Sequence, residues 1–179
     1  MVPLLPYVEQ GSVYQQIDIK KGYSTNLPAV QARIKTFLCP AGERAKDTAE
    51  GLTHYVAMAG IGLDAAIRPA GAPGNGFIGY DRLTSSSMIK DGASNTIAVM
   101  ETCSGLGPWA RGGSSNVRGF DPADLPFSGD QRPFGGHTGG MNVAMADGSV
   151  HFIGSSIDAS VLAALITIDG GERIDLSQW

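Results

Sequence analysis

The sequence has no apolar run approaching the roughly 20 residues that a membrane-spanning helix needs. It also shows no secretory leader: Met1 is followed at once by Val-Pro-Leu-Leu-Pro, without a basic segment. Taken alone, that start reads as cytoplasmic. Basic residues are few and scattered. With 13 of them against 17 acidic, the net charge is −4, and the only basic pair of note, Lys20-Lys21, reads as a solvated turn. Binding by phosphate neutralisation is therefore excluded, and no nucleic-acid partner is expected. Cysteine is limited to Cys39 and Cys103 with no C-x-x-C pair, which argues against a structural zinc site or a thioredoxin-type redox site. Two readings stay open for these thiols. One is a single bridge in an oxidising compartment, closing a loop of about 60 residues and worth about 3–4 kcal/mol. The other is two buried free thiols. Three histidines, His54, His137 and His151, leave little for a histidine-built zinc centre. The G-x-S-x-G elbow, the phosphate-binding loop, the H-E-x-x-H helix and the dinucleotide fingerprint are all missing.

Charged residues make up only 17% and hydrophobic ones 42%, with 25 glycines in 179 residues. That length suits one domain over 1–179, and the composition suits short strands, turns and long ordered loops rather than surface helix. Apolar residues at helical spacing run through 3–17, interrupted at Gly11. Pro28 then opens a second helix that carries Val30, Ile34, Phe37 and Leu38 and stops at Cys39-Pro40. The polar stretch 43–51 reads as a surface loop. Strands are expected near 54–59 and 96–101. The segments 142–146 and 149–153 form a hairpin around a two-residue Asp147-Gly148 turn. Ser155 and Asp158 resemble a capping box ahead of a helix bearing Ile157, Val161, Leu162 and Leu165. Between these elements, 60–80 and 104–135 are long loops rich in glycine and proline. Unstructured loops of that length are uncommon and are often functional.

Three constellations can carry chemistry. The first is His137-Thr-Gly-Gly-Met-Asn142 leading into a strand that ends at Asp147-Gly148. Its residues either satisfy backbone groups at a tight turn or bind a ligand. The second is Asp91-Gly-Ala-Ser-Asn95-Thr96, whose oxygens suit an irregular calcium site or cap the following strand. Asp91, Asn95 and Asp147 are the candidate ligands. The third is a carboxylate pair. If the strands ending in Glu101 and Asp147 are neighbours, these acids stand about 5–9 Å apart, as glycoside hydrolysis requires, with His137 nearby. Trp109 and the phenylalanines of the 104–135 loop are candidates for a sugar-stacking platform.

Taken together, the blocks resemble the prepilin-type processing-associated family of pseudopilin-like proteins, abundant in planctomycetes. His137 and Asp147-Gly148, with nine residues between His and Asp, resemble its signature. Leu4-Leu-Pro-Tyr-Val-Glu-Gln10, Phe37-Leu-Cys-Pro40, His54-Tyr-Val56 with Gly60, Asp91-Gly-Ala-Ser-Asn-Thr96 with Glu101, and Gly170-Gly-Glu172 resemble further family blocks in order. The resemblance implies a pilin-like α+β fold with N-terminal helices packed on an antiparallel sheet. It also implies a periplasmic or cell-surface location, with membrane attachment only through an N-terminal helix absent from this sequence. Related pseudopilins hold calcium in C-terminal loops, which extends the calcium expectation here. The function expected is a structural or binding head in a pilus-like or homo-oligomeric assembly rather than an enzyme. A glycoside hydrolase and a carbohydrate-binding module stand as alternatives.

Overall fold

In a computed structural model, residues 1–42, 51–129 and 132–172 are described; the expected 43–51 loop lies almost wholly outside them. The chain is α+β. Its main sheet has five strands in the order β5-β2-β3-β6-β7: β2 (Tyr55–Ile61), β3 (Ile97–Glu101), β5 (Val117–Phe120), β6 (Gly140–Met145) and β7 (Val150–Gly154). Four of these match the expected strands. The expectation of a purely antiparallel sheet is corrected by β5, which lies inside the 104–135 segment and pairs parallel to β2, Ala57 opposite Val117.

The alternation in β6 decides its faces. Met141, Val143 and Met145 point into the core, and Asn142 and Ala144 point out. The β6–β7 hairpin forms as expected, but its connection is longer than two residues. Met145 N–H donates to the Ser149 carbonyl, Gly148 N–H donates back to that of Met145, and Gly148 sits at φ 88°. This is a type I turn followed by a left-handed residue, which glycine adopts without steric cost.

The inner face of the sheet packs Val56, Met58, Ile97, Met100, Val143 and Ile153 against Leu162, Leu165 and Ile166 of α3 (Ala159–Ile166). Each such fully buried side chain contributes about 1.5–3 kcal/mol. The α3 cap is Asp158, whose carboxylate accepts from Ser160 N–H at 2.7 Å, and not the expected Ser155. Phe120, Phe127 and Phe134 close the same core, with ring centroids 5.5 and 6.1 Å apart about Phe120.

The N-terminal helical segments form a small core of their own. The 3₁₀ turn Val2–Val8, α1 (Gly11–Gln15) and α2 (Leu27–Val30) gather around Leu5, Val30, Ile34, Phe37 and Trp109. Beside them lies a two-stranded ribbon of β1 (Leu52–Thr53) and β4 (Gly107–Pro108). The expected helix over 28–38 stops at Val30 because the Trp109 indole N–H takes the Ala32 carbonyl at 2.8 Å. Ile34 is then extended.

The 60–80 segment is ordered on the other face of β2, where Ala59, Ala65 and Ala66 meet Tyr80 and Val117. Among the described residues no helix is long and apolar enough to cross a membrane.

Candidate functional site

The strand register lines up one row of side chains across the outer face of the sheet. Tyr55 opens β2 opposite Glu101, which closes β3. Met100 pairs with Val143, so Glu101 comes to lie beside Asn142 on β6, and Asn142 pairs with Phe152 on β7. A tight turn closed by mutual His137–Gly140 backbone hydrogen bonds swings His137 over this row. Its ring meets Phe152 edge to face at 6.3 Å. Cys39 reaches the same point from the opposite side.

Glu101 is the centre. It is 1% exposed. One carboxylate oxygen accepts from the backbone N–H and the side-chain amide of Asn142, at 2.6 and 2.9 Å. The other lies 3.3 Å from Nε2 of His137. A buried carboxylate persists only with such partners. The same Nε2 is 3.4 Å from Cys39 Sγ and 3.1 Å from Asn142 Nδ2. Sulfur, imidazole nitrogen and carboxylate oxygen thus face one another, all within 4.8 Å.

The electrostatics follow from burial. Burial pushes the Cys39 thiol pKa up; N–H groups of Ala41 and Gly42 aimed at its sulfur work against this, and the Glu101 charge adds to the rise. Burial, reinforced by Glu101, raises the Tyr55 hydroxyl to about 12, so it stays protonated beside that carboxylate. Behind Cys39, His54 Nδ1 accepts the Cys39 backbone N–H at 3.3 Å, which needs the neutral ring. Gly42 packs so closely on this ring that a Cβ there would sit 2.5 Å from His54 Nε2.

Burial lowers the His54 pKa below its ordinary 6.5. The unfolded chain therefore takes up a proton at a pH where the folded ring stays neutral. Stability is flat above pH 6.5 and falls as the pH drops from 6.5 through the folded pKa. Melting temperatures recorded from about pH 7.5 down to about pH 5 should fall more steeply for the wild type than for His54→Gln. Equal slopes would remove His54 as the source.

Of the residues expected from sequence, Glu101 and His137 are brought together, and Asp147 is not among them. Asp147 sits at the β6–β7 turn, where its carboxylate accepts from Ser149 N–H and O–H at 2.8 and 2.6 Å. Because β3 and β6 run antiparallel, Asp147 neighbours the start of β3, and Glu101 closes its far end. Four residues of strand, about 13 Å, separate those ends, too far for the proposed carboxylate pair.

Asp91 and Asn95 do lie near Asp147, whose N–H bonds Ala93. The Asp91 oxygens accept from Gly170 and Gly171 N–H at 2.7 and 2.8 Å, and Asn95 donates to the Asp91 carbonyl. Trp109 is fully buried, and Phe120, Phe127 and Phe134 are core residues, so Trp109 offers no face to a sugar. The two thiols are free: Cys103 lies against the Gly129 carbonyl while Cys39 lies in the cluster.

Sequence reasoning named Asn142 with His137 and missed that Cys39 and Tyr55 join them and Glu101 in one site. The available signal was that each falls in a separate family-like block.

The ligand-type atoms converge on a single nitrogen. A nucleophile–base–acid relay needs the acid on one ring nitrogen and the nucleophile on the other. Here Cys39 and Glu101 share Nε2, an arrangement that suits holding a cation or locking four segments together. A family model described as "Protein of unknown function (DUF1559)" matches residues 1–124 and 121–160. Nothing matches the chain among curated proteins or among solved structures.

Proposed function

The chain belongs to the DUF1559 family of proteins of unknown function, and we propose that it serves as the extracytoplasmic, non-catalytic head of a pseudopilin-like surface protein. Its contact face is the outer side of β6 and β7. The observation that carries this is the character of that face. Next to the Glu101 cluster lies a shallow depression of about 310 Å³ lined by Tyr55, Val99, Ala144 and Val150. Phe152 stands beside it, and Val150 and Phe152 are 67% and 49% exposed on an edge strand. An exposed apolar edge strand is a template for a neighbouring chain. The only acid in the row is spent on Asn142, Tyr55 and His137. The occupant proposed is another copy of the chain in a pilus-like array at the periplasmic membrane or cell surface.

A photo-crosslinking residue at position 152, in the protein expressed in its native host, tests this. The same residue at Leu83, 90% exposed and far from the sheet edge in sequence, is the control. The expected result is a self-adduct from position 152 alone, on protein that a label unable to cross the inner membrane reaches once any outer membrane has been made permeable. Protein shielded from that label, or equal adducts from both positions, would sink the proposal. So would turnover of chromogenic glycosides or esters that disappears in Glu101→Gln.

A further inference from the structure

We infer that Cys39, Glu101 and His137 form a binding site for a transition-metal dication of the zinc type, with a fourth position open to solvent. The inference is independent of whether the head assembles.

The geometry is the first support. Zinc binds thiolate sulfur at about 2.3 Å and imidazole nitrogen or carboxylate oxygen at about 2.0–2.2 Å. Tetrahedral angles then set neighbouring donor atoms about 3.4–3.6 Å apart. The Sγ–Nε2 and Nε2–Oε1 separations are 3.4 and 3.3 Å, within the tolerance of about 0.2 Å that a metal site allows. The sulfur and the carboxylate oxygen lie within 4.8 Å of each other, so a tetrahedral cation seated just above the plane of the three donors can reach them with small side-chain adjustments.

Charge is the second. A thiolate and a carboxylate carry two negative charges into a buried place, and a dication neutralises both, where water cannot. On binding, the Cys39 S–H bond breaks, its proton leaves to solvent, and sulfur keeps the electron pair for the metal.

The third is the shell around the donors. Asn142 holds Oε2 of Glu101 by two hydrogen bonds, and this leaves Oε1 as a single-oxygen ligand. Metal-ligating carboxylates are oriented in this way by their neighbours. The His137 side chain is 30% exposed while that of Glu101 is 2% exposed, so the open position faces His137 and the outer surface of the sheet. One soft sulfur, one imidazole and one carboxylate select zinc, cobalt or copper over calcium and magnesium, which take oxygen alone.

The test uses the whole chain with Zn²⁺ or Co²⁺ alone as the probe. One equivalent of zinc should survive dialysis. At free zinc 100-fold above Kd the melting temperature should rise by about 5–10 °C. Cobalt should give a tetrahedral visible spectrum with a thiolate charge-transfer band. Cys39→Ser and His137→Gln should lose these signals, and Asn142→Ala should weaken binding by about 10–100-fold.

Because the first two variants can fail to fold, the deciding protein is Cys103→Ser. It removes the thiol outside the cluster and leaves Cys39 as the only one in the chain. A retained charge-transfer band there assigns the sulfur to Cys39. No retained zinc, or a cobalt spectrum without that band, overturns the inference. A melting shift given by calcium and not by zinc also overturns it, and directs attention to Asp91, Asn95 and Asp147.

Discussion

Replacing Arg82 with alanine is expected to cost about 3–5 kcal/mol of unfolding free energy, through loss of charge-assisted hydrogen bonds worth about 1.5–3 kcal/mol each. The guanidinium works as a peg. One terminal nitrogen donates to the carbonyls of Ala65 and Arg68 and to the side-chain oxygen of Asn75. The other donates to the carbonyls of Ala59, Gly76 and Ile78. These acceptors lie on β2 and on the glycine-rich segment after it, which has no ladder of its own to satisfy them. Truncation leaves several half-buried carbonyls without a donor. Arg82→Lys should recover only a part, because one ammonium cannot span acceptors arranged around a planar fork. Urea melts of the two variants beside Arg68→Ala give the comparison. The Arg68 pair with Asp64 is an i,i+4 surface bridge at 2.6 Å, screened by solvent, and its loss should cost little. If Arg82→Ala proves as mild as Arg68→Ala, the peg is not what orders the segment.

The second large effect is at Trp109. Trp109→Ala should cost about 3–5 kcal/mol, as is usual for a large aromatic removed from a core. The ring is fully buried against Leu5, Val30, Ile34 and Phe37, with a centroid distance of 5.9 Å to Phe37. Gly51 leaves room for it: a Cβ at that position would come within 2.5 Å of its indole nitrogen. Trp109→Phe separates packing from hydrogen bonding. It keeps most of the apolar contact and strands the Ala32 carbonyl, at a cost of about 1–3 kcal/mol. Thermal melts followed by circular dichroism report both. The emission of a Trp179→Phe protein, in which Trp109 is the only tryptophan, should be indifferent to oligosaccharides; a spectral change with sugar would contradict the burial.

The strands were legible because their side chains alternate and their ends carry turn residues. Met141 to Met145 alternates as a half-buried strand requires, and Ile97 to Met100 is a short apolar run of the kind a buried strand carries. β5 was not legible. Val117-Arg-Gly-Phe120 sits inside a run of glycine and serine, and its partner Ala57 is remote in sequence. Nothing local marks such a strand. The helix expected over 28–38 had the right spacing, and it lost its last turns to an indole 77 residues away.

The candidate site was visible as separate pieces, and its assembly was not. Glu101, His137 and Asn142 were each singled out, while Cys39 was read as half of a bridge or as a buried free thiol and not as a member of a site. Their meeting depends on the β3–β6 register, with a shift between Ile97 and Val99. A slip of one residue would turn Glu101 to the other face of the sheet. The error over Asp147 has a simpler cause. Acids that close two successive antiparallel strands stand at opposite ends of the pair, so Glu101 was bound to face the residue that opens β6.

The sheet order also bears on how the chain finds this arrangement. Ala144 meets Val150 across a connection of a few residues, whereas Ala57 meets Val117 only after 60 residues of chain have been closed into a loop. By the logarithmic cost of loop closure the second event is dearer by about 2 kcal/mol. The Cys39 arm carries the same handicap, since it joins His137 across a separation of 98 residues. The C-terminal hairpin can therefore stand early with Asn142 already in place, while the cysteine is among the last groups to arrive. Between those moments the carboxylate of Glu101 has one of its partners and lacks another. Any ligand that bridges sulfur, imidazole and carboxylate acts at that late step, as a latch on chain closure.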